Sequence, residues 1–173
     1  MQDADLFMEL AAIAGVFVGF GALIAVRGGG ATGRIEVGYT RGMVSAGLLT
    51  IVAALAPVTL ARYDITEHQA WALSSAAVLV GWVVWFAANA RTPEYRANIA
   101  AELTSASRPV LVAGWAASGL YMLSALLIPT VVVLGVAPDL EPGLYFTAVV
   151  LILLLATMLL LALVYEQRDP AAA

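Results

Sequence analysis

The sequence predicts an all-α integral membrane protein, a bundle of five transmembrane helices with a short amphipathic helix on the inner membrane surface between spans 3 and 4. The first observation is composition: 62% of the 173 residues are hydrophobic and only 12% are charged, about half the charge of a soluble domain. The second is a mean hydropathy of +0.95. The third is the grouping of apolar residues into five stretches, each near the roughly 20 residues that cross a bilayer.

Five apolar stretches define the predicted spans. Each is expected to be a helix, because lipid cannot satisfy loose backbone N–H and C=O groups. The chain is then a single membrane domain, residues 1–173, without a separate soluble domain. The predicted spans cover about 6–26, 42–61, 70–90, 110–136 and 143–165.

The arginines predict the orientation of these spans. Seven of the eight lie in segments on one side of the predicted membrane, and only Arg62 lies on the other side. The side rich in arginine is expected to face the cytoplasm. This places the N-terminus outside and the C-terminus in the cytoplasm.

An alanine-rich chain without lysine is typical of a GC-rich bacterial genome, so we expect a multi-pass protein of the bacterial cytoplasmic (inner) membrane.

The longest inner loop predicts the surface helix. Thr92 suits the N-cap position and Pro93 the first helical position. Tyr95, Ile99 and Leu103 then recur every four residues and share one face. We expect a short amphipathic helix lying on the inner membrane surface. The alternative is a docking site for a soluble partner.

The composition excludes several classes of chemistry. The chain has no cysteine, which excludes thiolate catalysis and cysteine-bound clusters. It has no lysine for a retinal Schiff base, and the single histidine, His68, stands in a predicted loop. The central parts of the spans carry no ionisable residue except Tyr121, whereas proton-coupled transporters need such groups. We expect no enzymatic activity, no cofactor, no metal and no binding of nucleic acid.

Charged residues at the span ends are candidates for ion pairs. Glu9 lies about one turn into the first span. It is either an interfacial carboxylate that reaches back to water, an outer-mouth carboxylate that attracts cations, or a partner of Arg62. On the inner side, Glu36 and Arg41 are expected to pair with each other or with Arg108. The candidate inner ion-pair residues are Glu36, Tyr39, Arg41 and Arg108.

Small residues in the spans predict close helix packing, which in lipid depends on the approach of backbones. A stripe at four-residue spacing runs along the first span, and a second set lies in the fourth. The partner is a helix of the same chain or of a neighbouring subunit. The candidate packing residues are Ala11, Gly15, Gly19, Gly114 and Ser118.

Two prolines are expected to kink their helices. Pro57 lies in the second span and Pro129 in the fourth, where each removes a backbone donor. They mark a hinge or cavity, or only shape the packing.

Aromatic residues at the predicted outer boundaries are typical of an interfacial belt; these are Phe7, Tyr63, Trp71, Tyr145 and Phe146. Hydroxyl side chains within spans bond back to their own helix, or line an uncharged pore or a ligand cavity.

Three functions are compatible with these features. The favoured one is a homo-oligomeric channel or pore-type transport protein without deep ionisable groups. The alternatives are an accessory or structural subunit of a larger membrane complex, and a binder of a lipid or another apolar ligand within the bundle. A pore predicts that changes at Glu9 alter ion selectivity. An accessory subunit predicts a co-purifying partner, and a ligand binder predicts a monomer that lipid stabilises.

Overall fold

Five long helices make up the part of the chain that the computed structural model describes, residues 4–27, 34–93, 96 and 108–166. This confirms the predicted number of helices. The main difference in bounds is at the second helix, which begins at Arg34 rather than near residue 42, because it continues from the apolar stretch into the polar segment before it. The helices are α1 (Ala4–Arg27), α2 (Arg34–Leu60), α3 (Glu67–Ala90), α4 (Arg108–Val133) and α5 (Glu141–Glu166), with a 3₁₀ turn at Pro138–Leu140.

Four of these helices are long and apolar enough to cross a membrane. Their apolar segments are Ala4–Ile24, Val37–Leu60, Glu67–Ala90 and Pro138–Leu161. In α4 the apolar segment among the described residues is shorter, Ser118–Val133. Large apolar side chains also cover the surface, as Leu120 and Val80 illustrate with 68% and 64% exposure. These features support a membrane-embedded protein, and the crossing of all five helices stays a prediction.

Local signals explain where α3 begins and where α4 ends. Thr66 and Gln69 form a capping box, in which each side chain binds the backbone N–H of the other residue. At the end of α4, Gly135 has φ +62°, a conformation that favours glycine. The N–H groups of Gly135 and Val136 donate to the carbonyls of Val132 and Val131. This is a Schellman motif, and it ends α4 before the predicted limit of 136.

The helices alternate in direction. Rings from the beginnings of α1, α3 and α5 meet in one cluster: the centroids of Phe7 and Trp71 are 5.9 Å apart, and those of Trp71 and Tyr145 are 5.6 Å apart. The end of α2 joins them through Ala53, which accepts a hydrogen bond from Tyr145. We call this end of the bundle the His68 end. The opposite end, where α2 begins and α3 finishes, is the Arg41 end.

Two apolar clusters hold the bundle together. α2 packs against α1, α3 and α5, and α4 packs between α3 and α5. The larger cluster extends from the His68 end to the middle of the bundle and includes Phe7, Trp71, Trp82, Tyr145 and Ile152. The smaller one, Met43, Ala46 and Ala156, joins α2 to α5 towards the Arg41 end.

Gly15 and Gly19 of the α1 stripe do not pack against another helix among the described residues. A Cβ at Gly15 or Gly19 would meet no atom within 4 Å, although Ala11 packs against the core. The close approach of α1 and α2 is at other glycines. A Cβ at Gly47 would lie 2.9 Å from Val18 Cγ2 and 3.3 Å from the carbonyl oxygen of Ala14.

The aromatic residues at the His68 end also differ from the belt interpretation. Phe7, Trp71 and Tyr145 are buried in the core, and Phe146 packs against it. Tyr63, 65% exposed, keeps a position that suits an interface. The belt interpretation is therefore wrong for the buried rings, because they fill the space between helices rather than face lipid headgroups.

The predicted surface helix falls mainly on residues 94, 95 and 97–107, which lie outside the described residues. Its beginning is described in part. The Arg96 N–H donates to the carbonyl of Thr92 at 3.4 Å, the bond that an N-cap residue accepts in the first turn of a helix. The remainder of that helix stays a prediction.

Candidate functional sites at the two ends of the bundle

Pro57 creates an acceptor at the His68 end, and Tyr145 uses it. A proline has no N–H, so the carbonyl of Ala53, four residues earlier, lacks its usual helical partner. The Tyr145 hydroxyl donates to that carbonyl at 2.6 Å, and all three residues are buried. The proline therefore allows a hydrogen bond that ties α5 to α2. In α4, Pro129 is likewise buried and removes the usual partner of the Ala125 carbonyl.

His68 lies in the first turn of α3, so its predicted loop position is wrong. Its Nδ1 is 2.7 Å from Oε1 of Glu141, at the beginning of α5. The Glu141 side chain is only 3% exposed, whereas that of His68 is 50% exposed. A Cβ at Gly135 would lie 3.1 Å from Cε1 of His68, so the glycine leaves room for the ring. The pair closes the His68 end by joining α3 to α5.

Three buried polar atoms below this pair have no hydrogen-bond partner within the described structure: Trp71 Nε1, Ser74 Oγ and Ser75 Oγ. All three belong to one face of α3, since the residues lie three and four positions apart. The Trp71 ring contacts that of Tyr145, and the Ser74 hydroxyl lies close to that of Tyr145, although no hydrogen bond within the described structure satisfies it. We call Trp71, Ser74, Ser75 and Tyr145 the buried polar node.

A groove of about 420 Å³ runs between α2 and α3 towards the Arg41 end. Apolar or small side chains of α2 and α3 form its walls. The end of the groove nearer the Arg41 end of the bundle is lined by Arg41, Ser45, Trp85 and Asn89. Small residues on α3 shape the groove: Gly81 lets the Leu49 side chain of α2 approach closely, with 2.6 Å between Leu49 Cδ1 and a Cβ built at Gly81, and Ala77 and Ala88 have short side chains beside it. The apolar and small lining residues are Leu48, Leu49, Val52, Ala77, Gly81, Val84 and Ala88.

The indole of Trp85 is held rigidly at the polar end of the groove. Its Nε1 donates to Ser45 Oγ at 2.7 Å, and its ring stacks on that of Trp82 with centroids 5.0 Å apart. The Asn89 amide donates to the Trp85 carbonyl at 2.8 Å. Arg41 is exposed beside them, and no described carboxylate lies within ion-pair distance of it.

The other predicted site residues do not come together. Glu9 and Arg62 are both exposed, and His68–Glu141 is the one ion pair within the described ranges, so Glu9 and Arg62 are not paired. Ser118 is exposed, and Tyr39 is partly buried. The side chains of Glu36 and Arg108, and the surroundings of Gly114, lie outside the described residues. The inner ion pairs therefore stay a prediction.

No protein family, curated protein or solved structure matches this chain. The described residues also contain no group of three or more side chains that could hold a metal ion. Two features of the described structure bear on a proposed function: the joined His68 end and the open groove at the Arg41 end.

Proposed function

We propose that this protein binds a membrane lipid with an anionic headgroup in the groove between α2 and α3. One observation carries the proposal: a single groove combines apolar walls with an exposed arginine at one end. An acyl chain would lie along Leu48, Val52 and Val84, and the headgroup phosphate would meet Arg41. This is a form of the lipid-binding alternative that the sequence permits, with the lipid in an exposed groove between α2 and α3 rather than within the bundle.

The chemistry at the polar end suits a phosphate. A guanidinium binds phosphate oxygens through two parallel hydrogen bonds, and such charge-assisted bonds are among the strongest in proteins. Asn89 and Ser45 are already engaged with Trp85 or with their own helix. They hold the end of the groove in place and leave Arg41 to meet the headgroup.

The proposed orientation of the bundle in the membrane is compatible with binding of an anionic lipid at the Arg41 end. If the Arg41 end faces the cytoplasm of a bacterium, the groove opens at the leaflet surface where basic residues between helices attract anionic headgroups. We propose the bacterial inner membrane as the location, with the N-terminus outside. Labelling of single cysteines tests this, because the native chain has none. Labelling of an Asp64→Cys variant only from the cytoplasm would overturn the orientation.

Native mass spectrometry of the full chain in a mild detergent tests the lipid site. Added phosphatidylglycerol should remain bound, and phosphatidylcholine should bind more weakly. The Arg41→Gln variant removes the charge and both parallel bonds of the guanidinium, and should lower the affinity for phosphatidylglycerol by at least about tenfold, the loss expected for one charge-assisted hydrogen bond alone. Arg62→Gln, which removes an exposed arginine outside the groove, is the matched control.

A second pair of variants tests the apolar part of the groove. Ala77→Leu places a larger side chain in the groove and should reduce lipid binding. Ala12→Leu makes the same change at another exposed alanine, on α1, and should leave binding unchanged. Equal binding by the variant and control of each pair would contradict the proposal.

The homo-oligomeric pore stays a second candidate, favoured by the outward position of Gly15 and Gly19. Small residues that face lipid allow α1 of one copy to approach another copy closely. Since rings of Phe7, Trp71 and Trp82 fill the described core, a lumen would lie between copies. Mass measurement of the gently extracted protein tests this, with Gly19→Val expected to dissociate the oligomer. A stoichiometric larger partner would instead favour the accessory-subunit function.

A further inference from the structure

We propose that the bundle binds internal water at the buried polar node, between the α3 donors and the Tyr145 hydroxyl. The node lies in the half of the bundle nearer the His68 end, away from the lipid groove. The proposal does not depend on lipid binding. Its basis is a set of polar atoms that are fully buried and that no described protein group satisfies.

Ser74 and Ser75 lack the hydrogen bond to their own helix that other helical hydroxyls of this protein form. Among the described residues, seven Ser and Thr side chains donate to the carbonyl four residues earlier in their own helix; they are Ser45, Thr50, Thr59, Ser124, Thr130, Thr147 and Thr157. Such back-bonding satisfies a hydroxyl in an apolar setting. Ser74 and Ser75 do not use it, although both are 0% exposed.

Trp71 is the strongest indication that a bound molecule supplies a hydrogen-bond acceptor at the node. An indole N–H can only donate, so rotation of a neighbouring hydroxyl satisfies it only if that oxygen comes within reach. A small rotation of Ser74 towards Tyr145 would satisfy Ser74 and would leave both Trp71 and Ser75 without partners. Each buried and unsatisfied group costs free energy comparable to a lost hydrogen bond or more, and native structures rarely contain several together.

Water fits this node better than an ion. The node holds no formal charge, and burial of an unpaired ion is far more costly than burial of a neutral polar molecule. Water both donates and accepts, and buried waters make about three hydrogen bonds. An indole donor, serine hydroxyls and the phenol oxygen of Tyr145 supply these partners.

A further acceptor lies at the same depth on α4. Ala125 is eight residues from the end of α4 at Val133, and Ser75 is eight residues from the beginning of α3 at Glu67. Both are therefore about 12 Å from the same end of the bundle. Ala125 is buried, and Pro129 removes the N–H that would normally occupy its carbonyl.

The decisive measurement is magnetisation transfer from water to the Trp71 indole proton. The full chain, with ¹⁵N-labelled tryptophan, is studied in detergent micelles, and the signal is assigned by its loss in Trp71→Phe or, if that variant does not fold, by elimination through the other tryptophans. We expect a direct cross-peak with water for Trp71. The Trp85 indole, bonded to Ser45, is the internal control. No cross-peak at Trp71 would overturn the proposal.

The stability of serine variants gives an independent readout. If water occupies the node, Ser75→Ala removes a partner of that water and should lower Tm by about 2–4 °C. Ser124→Ala, which removes a hydroxyl bonded to its own helix, should change Tm by less. If the node is dry, Ser75→Ala removes an unsatisfied buried group and should raise Tm. A rise in Tm would therefore overturn the proposal.

Discussion

The two ends of the bundle use their polar side chains in opposite ways. At the His68 end, Tyr145 and His68 bond to groups on other helices, at Ala53 and Glu141, and aromatic rings fill the space around them. Towards the Arg41 end, Trp85 bonds to Ser45 beside an open groove, and nearer the middle of the bundle the Tyr121 hydroxyl donates to the carbonyl of Leu151 on α5. Bonds between helices and packed rings close the His68 end, whereas the other end keeps an open groove, where we propose that lipid binds.

The largest expected effect on the free energy of unfolding is at the contact of α1 with α2, which lies between the two ends of the bundle. Gly47→Leu would force a side chain against Val18 and the backbone of Ala14. We expect a loss of about 3 kcal/mol in the free energy of unfolding, the upper part of the range for overpacking. Gly19→Leu, in open space, should cost much less. Reversible unfolding in detergent measures both, and equal losses would show that the outward stripe also packs.

The next effect tests the closure of the His68 end. Tyr145→Phe leaves the Ala53 carbonyl buried without its hydroxyl partner and should cost about 1–3 kcal/mol. Pro57→Ala restores an N–H that can bond to the same carbonyl. The Tyr145→Phe penalty should therefore shrink in the Pro57→Ala background, a coupling that a double-mutant cycle measures. Tyr63→Phe, at an exposed tyrosine, is the control, and a purely additive cycle would refute the assigned role of Pro57.

A somewhat smaller effect is expected at the ion pair. His68→Ala leaves Glu141 buried without its partner and should lower stability by about 1–2 kcal/mol, since the half-exposed histidine position admits some water. His68→Gln keeps a donor and should lose less. The variant His68→Ala with Glu141→Gln should recover part of the loss. Thermal unfolding in detergent measures the series, and no loss in His68→Ala would mean that solvent replaces the imidazole.

The smallest effect is expected beside the groove. Trp85→Phe removes the indole N–H that bonds to Ser45 but keeps an aromatic ring next to Trp82. Because Ser45 still donates to the carbonyl of Arg41, we expect a loss of only about 0.5–1 kcal/mol. Lipid binding and unfolding should be measured on the same sample. A loss as large as that of Tyr145→Phe would remove the contrast between the two ends.

Sequence patterns predicted the helices better than their faces. The apolar stretches indicated five helices, yet Gly15 and Gly19 lie outside the face of α1 that packs against the described helices, so a partner in a neighbouring subunit stays a prediction. A seam at alternating three- and four-residue spacing was also present in the sequence and matches the face that is buried or partly buried; it consists of Phe7, Leu10, Ala14, Phe17, Gly21 and Ile24. The buried face combines large side chains with small residues, since Ala14 and Gly21 lie where α2 approaches closely, and large apolar residues such as Phe20 lie on the exposed face.

The candidate sites were less predictable than the fold. His68 and Glu141 are 73 residues apart, and no local pattern links them. The role of Pro57 was open, because the sequence shows the missing N–H but not that Tyr145 reaches the freed carbonyl. The groove depends on small residues of α3 that face α2, and this pairing of faces has no signature in either helix alone.

The sequence by itself determined that this chain forms apolar helices, where α3 begins and α4 ends, and that it contains neither cysteine nor lysine. These properties depend on composition, local hydrogen bonding and caps such as Thr66 and Gly135, which involve residues close together in the chain. Only the tertiary structure decided that Tyr145 satisfies Ala53, that His68 meets Glu141, and that Arg41 stands at an open groove. Those contacts depend on how whole helices rotate and pack, and the free energy that sets each rotation is spread over many side chains rather than held in one segment.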